Sequence, residues 1–259
     1  MKKYLSVFGL YARSSIYRVL GVLFVMGVAE FGLFMAKLKA ALADYNNPQN
    51  IPEFSKGPEM LHFEEILEGC HIPLCFMVAL ILITIFLCLP GTEFQSKTGY
   101  TLRRLSISER SVLMIQWMYN IMVYIILLAV QVLFCFVLSQ VYISQVLAEF
   151  IGNQTVFLAF YRSEFMHALL PLSEAGIWFR NIFLVIGLGF AAAEFSYNQR
   201  RKGYGIAIIA LGIFAIVSFK TEMGSIGGFF FSMIVVAFYV GNSLYNLLRK
   251  EVVDENGLS

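Results

Sequence analysis

Three stretches of this sequence hold residues of the types that do chemistry. Gly91-Thr92-Glu93-Phe94-Gln95-Ser96-Lys97-Thr98 is one residue away from a phosphate-cradling P-loop, with Ser96 where the second glycine belongs. A P-loop works because a strand delivers a glycine-rich turn to a helix N-terminus inside an α/β domain. Here the stretch leaves an apolar run and enters a short polar segment, so nucleotide binding by this chain is not expected, and any ATP used is bound by another polypeptide. His62-Phe63-Glu64-Glu65-Ile66-Leu67-Glu68-Gly69-Cys70-His71 offers two imidazoles, a thiol and three carboxylates, the donor types of zinc and copper sites. Its spacing fits none of the usual frameworks. A helical turn with a solvated acidic face, leading into an apolar run, accounts for the same residues, and no metal ligands are assigned. Glu30 and Arg180 interrupt otherwise apolar runs. Ionisable groups there are expensive and default to a functional reading, substrate-facing or structural.

The elements that must position these residues follow from composition. Of 259 residues 59% are apolar and 14% charged, with a mean hydropathy of +0.73, far outside soluble usage. A water-soluble enzyme is excluded. A net charge of +2 is too balanced to suggest nucleic acid. Cys75, Cys88 and Cys135 lie in apolar runs, and Cys70 at a run's edge has no obvious disulfide mate.

Six apolar runs read as transmembrane helices: 17–36, 72–89, 111–138, 175–193, 203–219 and 225–248. The runs are apolar on every face, whereas a membrane barrel would alternate in polarity. The fold expected is therefore an all-α membrane protein. Residues 1–16 read as an N-terminal amphipathic elbow, 17–248 as the six-helix transmembrane domain and 249–259 as a cytoplasmic tail. The first run is not a cleaved signal, since Lys37 and Lys39 follow it in place of a small-residue cleavage site.

Lysine and arginine set the orientation. Thirteen fall on the side of the two termini and six on the other, which also carries eleven of the seventeen acidic residues. Both termini are expected in the cytoplasm. Glu30 and Arg180 then both lie toward the outer side, where an interhelical ion pair between them is geometrically permitted. Gln116 and Asn120 in the third span are expected as interhelical hydrogen-bond partners, and Gly224, Gly227 and Gly228 as a site of close packing or a bend. Phe150 to Tyr161, uncharged and too short to span, reads as an interfacial or re-entrant segment.

The connection between the second and third spans is the most informative. It runs Glu93-Phe94-Gln95-Ser96-Lys97-Thr98-Gly99-Tyr100-Thr101-Leu102-Arg103-Arg104-Leu105-Ser106-Ile107-Ser108-Glu109-Arg110. Tyr100 to Leu105 can form a short amphipathic helix with Arg103 and Arg104 beside apolar Leu102 and Leu105. Ser106 or Ser108 can cap the helix that follows, because a serine oxygen accepts from its free N–H groups. The loop is either a basic anchor or an apolar ridge offered to a soluble protein below the membrane.

At this loop the chain resembles the membrane-spanning permease subunits of ABC transporters of the ABC-2 exporter type. The matching positions are Glu93, Gly99, Thr101, Leu102, Leu105, Ile107, Ser108 and Arg110, with Ser106 in place of the usual proline and Glu109 inserted before the arginine. The resemblance implies a multi-pass permease of a bacterial plasma membrane, which has no catalysis of its own. It pairs in the bilayer with a second permease half, identical or not, and with separate ABC ATPase subunits that carry the ATP and Mg. It also implies that Glu93, Leu102, Arg103, Arg104, Leu105, Ser106, Ile107 and Ser108 form the coupling contact with the ATPase, and that the cargo is amphipathic, peptide or lipid-like. The chain departs from the subgroup with a large external domain between spans five and six. The alternatives are a stand-alone secondary transporter and a non-transporting sensor or scaffold subunit.

Overall fold

The structure is a computed structural model that describes residues 2–46, 61–91, 108–147, 151–152, 154–172, 174–200, 207–220, 230, 233–238 and 240–241. Eight α-helices are described over these bounds: α1 Lys2–Tyr45, α2 Phe63–Gly69, α3 Ile72–Cys88, α4 Glu109–Gln145, α5 Thr155–Arg162, α6 Glu164–Leu169, α7 Ala175–Arg200 and α8 Ala207–Lys220. No strand occurs among the described residues. The protein is an all-α membrane protein.

Helices α1, α4 and α7 are each long and apolar enough to cross a bilayer, and α2 with α3, bent by 52°, makes a fourth candidate. The described 14 residues of α8 cover about 21 Å at 1.5 Å per residue, and residues 203–206 of the fifth expected span lie outside the described residues. The sixth expected span, 225–248, lies mostly outside the described residues.

Two boundaries differ from the sequence reading. The stretch 1–16, read as a separate elbow, is continuous with the first span, because α1 runs unbroken from Lys2 to Tyr45. No proline interrupts it, and Ser14 and Ser15 return their hydroxyls to the Tyr11 carbonyl at 2.8 and 3.0 Å, which keeps those polar groups on the helix. At its other end the helix outlasts the apolar run, since Ala36 to Ala43 are all strong helix formers. Leu38 and Ala41 there are buried, and α2 packs on α1.

Four helices form a ring, with α1 against α3 and α4, and α7 against α3 and α4. Helix α8 packs on α7 and α3. Short helices close the end that the charges assign to the outside, where α2 meets α5 and α6 meets α8. Phe63 of α2 stacks edge-on against Phe34 of α1 and packs on Tyr142 of α4, whose hydroxyl donates to the Leu61 carbonyl at 3.1 Å. Arg162 pairs with Glu64 at 3.5 Å, and Ser163 donates to Glu68 at 3.1 Å.

Between α2 and α3 the chain turns at His71, whose φ of 58° is the only positive value at a non-glycine residue among those described. The His71 carbonyl accepts from the N–H groups of Leu74 and Cys75, and Pro73 sits in the first turn of α3, where a missing N–H costs nothing. Pro90 ends the same helix, which tightens into a 3-10 turn over Leu89–Gly91.

Candidate functional site

The buried face of α1 carries Val19, Leu23, Met26, Glu30, Phe34, Leu38 and Ala41, spaced three or four residues apart. Glu30 stands in the middle of an apolar helical stripe, so packing that stripe against the bundle buries it completely. The facing stripe of α4 runs Gln116, Asn120, Tyr124, Leu127, Gln131, Cys135, Leu138 and Tyr142. Gln131 comes opposite Glu30, and its Nε2 donates to Glu30 Oε2 at 3.2 Å. The same nitrogen lies 3.9 Å from the Cys135 sulfur. The second carboxyl oxygen of Glu30, Oε1, and the amide oxygen of Gln131, Oε1, are buried without a hydrogen-bond partner. Orphan acceptors in an apolar interior are costly, and Gln116 Oε1 and Asn120 Oδ1 on the same stripe of α4 are orphaned as well.

Sequence reasoning singled out Glu30 but missed Gln131. The signal was present, because Gln131 repeats at helical spacing on the face already marked by Gln116 and Asn120.

The ion pair permitted between Glu30 and Arg180 does not form. Glu30 faces α4, while Arg180 sits on α7 with its Nε and Nη2 directed at Asn181 Oδ1, at 3.4 and 3.2 Å. Its guanidinium lies 5.9 Å from the centre of the Phe219 ring. Asn181 in turn donates to the Ala168 carbonyl at 2.7 Å, so the buried Arg180 and Asn181 tie α7 to α6 and α8. Glu30 finds its partner across on α4 and Arg180 on its own helix, and α4 packs on both α1 and α7.

Gln116 and Asn120 are interhelical partners as expected. Asn120 Nδ2 donates to the Gly189 carbonyl at 3.0 Å, Gln116 Nε2 to the Leu87 carbonyl at 3.5 Å, and Trp117 Nε1 to the Ile186 carbonyl at 3.1 Å. Ser15 and Tyr119 join α1 to α4 at 2.7 Å, and Thr84 and Tyr124 join α3 to α4 at 2.8 Å. Such bonds contribute about 0.6 kcal/mol each in a bilayer, and up to about 1.7.

The histidine-rich stretch does not gather its donors. The His62 N–H donates to Glu65 at 3.1 Å as part of the α2 cap, Cys70 donates to the Leu67 carbonyl, and His71 is exposed at the turn. His167 is buried on α6, 4.0 Å from Glu174. No group of three or more metal-ligating side chains is placed to hold an ion among the described residues, and all four cysteines are free.

Of the proposed coupling residues, Glu93, Leu102, Arg103, Arg104, Leu105, Ser106 and Ile107 lie outside the described residues, as do Gly224, Gly227 and Gly228. Ser108 is the N-cap of α4: its Oγ accepts from the Ser111 N–H at 3.3 Å. Glu109 in the first turn complements the helix dipole. Ser108 and Glu109 thus open the 37-residue α4, which packs on both α1 and α7. Searches of protein-family models, of curated proteins and of solved structures return no match to this chain.

Proposed function

We propose that the chain is the permease subunit of an ATP-driven transporter of the ABC-2 exporter type, working with a second permease half and separate ATPase subunits. One observation carries the reading: the 93–110 loop, whose residues resemble that family's coupling segment, ends on a hydrogen-bonded cap at the start of α4. ATPase closure pressing on Leu102, Arg103, Arg104 and Leu105 would move α4 as a body. The helices packed on it would follow, rocking the two halves between inward- and outward-facing states. The cargo best suited to walls with few charges is amphipathic, peptide or lipid-like.

The test begins with gentle purification from the native membrane and identification by mass of what stays bound. A stoichiometric partner carrying a complete P-loop supports the reading, and a clean preparation without one overturns it. In the assembled complex, Leu105→Asp is expected to abolish transport while the chain stays inserted and the partner still hydrolyses ATP. Unchanged transport in that variant removes the docking role.

A second reading, a stand-alone secondary transporter, is favoured by the Glu30 and Gln131 pair, a carboxyl group with an orphan oxygen buried among spans. It predicts substrate movement by the purified chain alone in vesicles, driven by an ion gradient and lost in Glu30→Gln.

A further inference from the structure

Glu30 is fully buried, and α2, α3 and α4 pack on the helix that carries it. None of the three brings it a cation. No charged residue occurs in α3, and α4 has none beyond Arg110 in its first turn, about 32 Å from Gln131 at 1.5 Å per residue. The charges of α2 are the acids Glu64, Glu65 and Glu68, which engage Arg162, the His62 N–H and Ser163. On α1 itself Lys37 lies two turns further on, about 10 Å along the axis, with its Cε beside Gly69. The titratable groups near the carboxyl are thiols: Cys135 on α4, Cys75 on α3 and Cys70 at the end of α2.

Counting hydrogens points the same way. Gln131 Nε2 donates to Glu30 Oε2 at 3.2 Å and lies 3.9 Å from the Cys135 sulfur, so its two hydrogens have acceptors. Glu30 Oε1 and Gln131 Oε1, on either side of that bond, accept nothing. An ionised carboxylate would leave both oxygens so, and would add a buried unpaired charge that costs several kcal/mol. One hydrogen on Glu30 Oε1, donated to Gln131 Oε1, removes both faults by closing acid and amide into a ring of two hydrogen bonds. The orphan oxygens of Gln116 and Asn120 have no such remedy, because their amides bond to the main-chain carbonyls of Leu87 and Gly189 and not to an acid.

We propose that Glu30 and Gln131 form a proton-binding site, in which Glu30 carries a proton on Oε1 at neutral pH and donates it to Gln131 Oε1. The proton comes from water. An O–H bond forms on Glu30, no bond breaks in either residue and nothing is oxidised. The acid so formed is neutral and fully hydrogen-bonded, the condition under which a polar group is buried without penalty. Drawing α1 away from α4 opens the ring and lets water take the proton, which ties its release to movement of these two helices. The site holds its proton whichever transport reading is correct, and on the second reading it makes the proton the coupling ion.

The test is the infrared spectrum of the full chain at neutral pH, in a detergent free of carbonyl groups. Exposed carboxyls titrate at about 4 and are ionised there, so a protonated-acid C=O band that shifts in heavy water reports a buried neutral one. The band is expected in the unaltered chain and should be lost completely in Glu30→Gln. Gln131→Leu removes the acceptor of the acid hydrogen and should keep the band but move it to higher frequency. Absence of the band, its survival in Glu30→Gln, or its staying in place in Gln131→Leu overturns the proposal. Should Glu30→Gln fail to fold, the unaltered chain is treated with dicyclohexylcarbodiimide, an apolar reagent that adds to protonated carboxyls, and the adduct is mapped by mass. An adduct on Glu30 is the expected result, and a Glu30 peptide recovered unmodified overturns the site.

Discussion

Replacing Gln131 with leucine would strip the Glu30 carboxyl of its one hydrogen-bond donor while keeping the apolar stripe of α4. Leaving a buried polar group without its partner costs about 1–3 kcal/mol, so Gln131→Leu should lower the unfolding free energy of the purified chain by that amount. Glu30→Leu, which orphans the amide, should do the same. The double variant should cost less than the sum of the two, with a coupling of about 1 kcal/mol read from a double-mutant cycle. Strict additivity would show that the two side chains do not act as a unit. Glu30 could be read from the sequence because one charge in an apolar run is conspicuous. Gln131 could not be read that way, because an uncharged amide barely perturbs hydropathy; only its helical spacing from Gln116 and Asn120 marks its face.

At the scale of elements, α4 and α7 approach closely because Gly189 has no side chain. A Cβ there would lie 2.9 Å from Ile121 Cγ1 and 3.3 Å from the Ile121 backbone nitrogen, so one of the helices would have to shift. Gly189→Leu should therefore separate the pair, break the Asn120 bond to the Gly189 carbonyl and cost about 1–3 kcal/mol by overpacking. A Cβ at Gly212 on α8 would meet nothing within 4 Å, so Gly212→Ala should cause no such loss. Thermal unfolding of both variants in the same detergent compares them directly. The apolar runs located the cores of these elements well: 72–89 against Ile72–Cys88, and 111–138 inside Glu109–Gln145. What hydropathy missed was where helices stop. It marks the edge of hydrocarbon, whereas α1 continues for as long as its residues favour helix and its buried face finds something to cover. The break between α2 and α3, a bend of 52°, escaped because its positive φ falls on His71 and not on Gly69, which ends α2 two residues earlier.

For the whole molecule, charge rather than packing carries the orientation. From thirteen basic residues on the side of the termini against six on the other, we expect residue 56 outside and residue 201 inside. In a background without the four native cysteines, Lys56→Cys should react with a membrane-impermeant thiol reagent added to intact cells. Arg201→Cys should react only after the cells are opened. The reverse pattern would invert the protein and move the 93–110 loop away from any cytoplasmic ATPase.

One feature of the architecture bears on how such a molecule could signal across a membrane. At 44 residues, α1 is about 66 Å long, twice the thickness of the hydrocarbon it crosses. The helix has no joint. Its first turns carry Val7 and Tyr11 into the bundle, and far along the same rod Phe34 stacks on Phe63 of the closing helix α2. Because the rod is unbroken from Lys2 to Tyr45, a tilt imposed at one end would be delivered at the other as a displacement of α2.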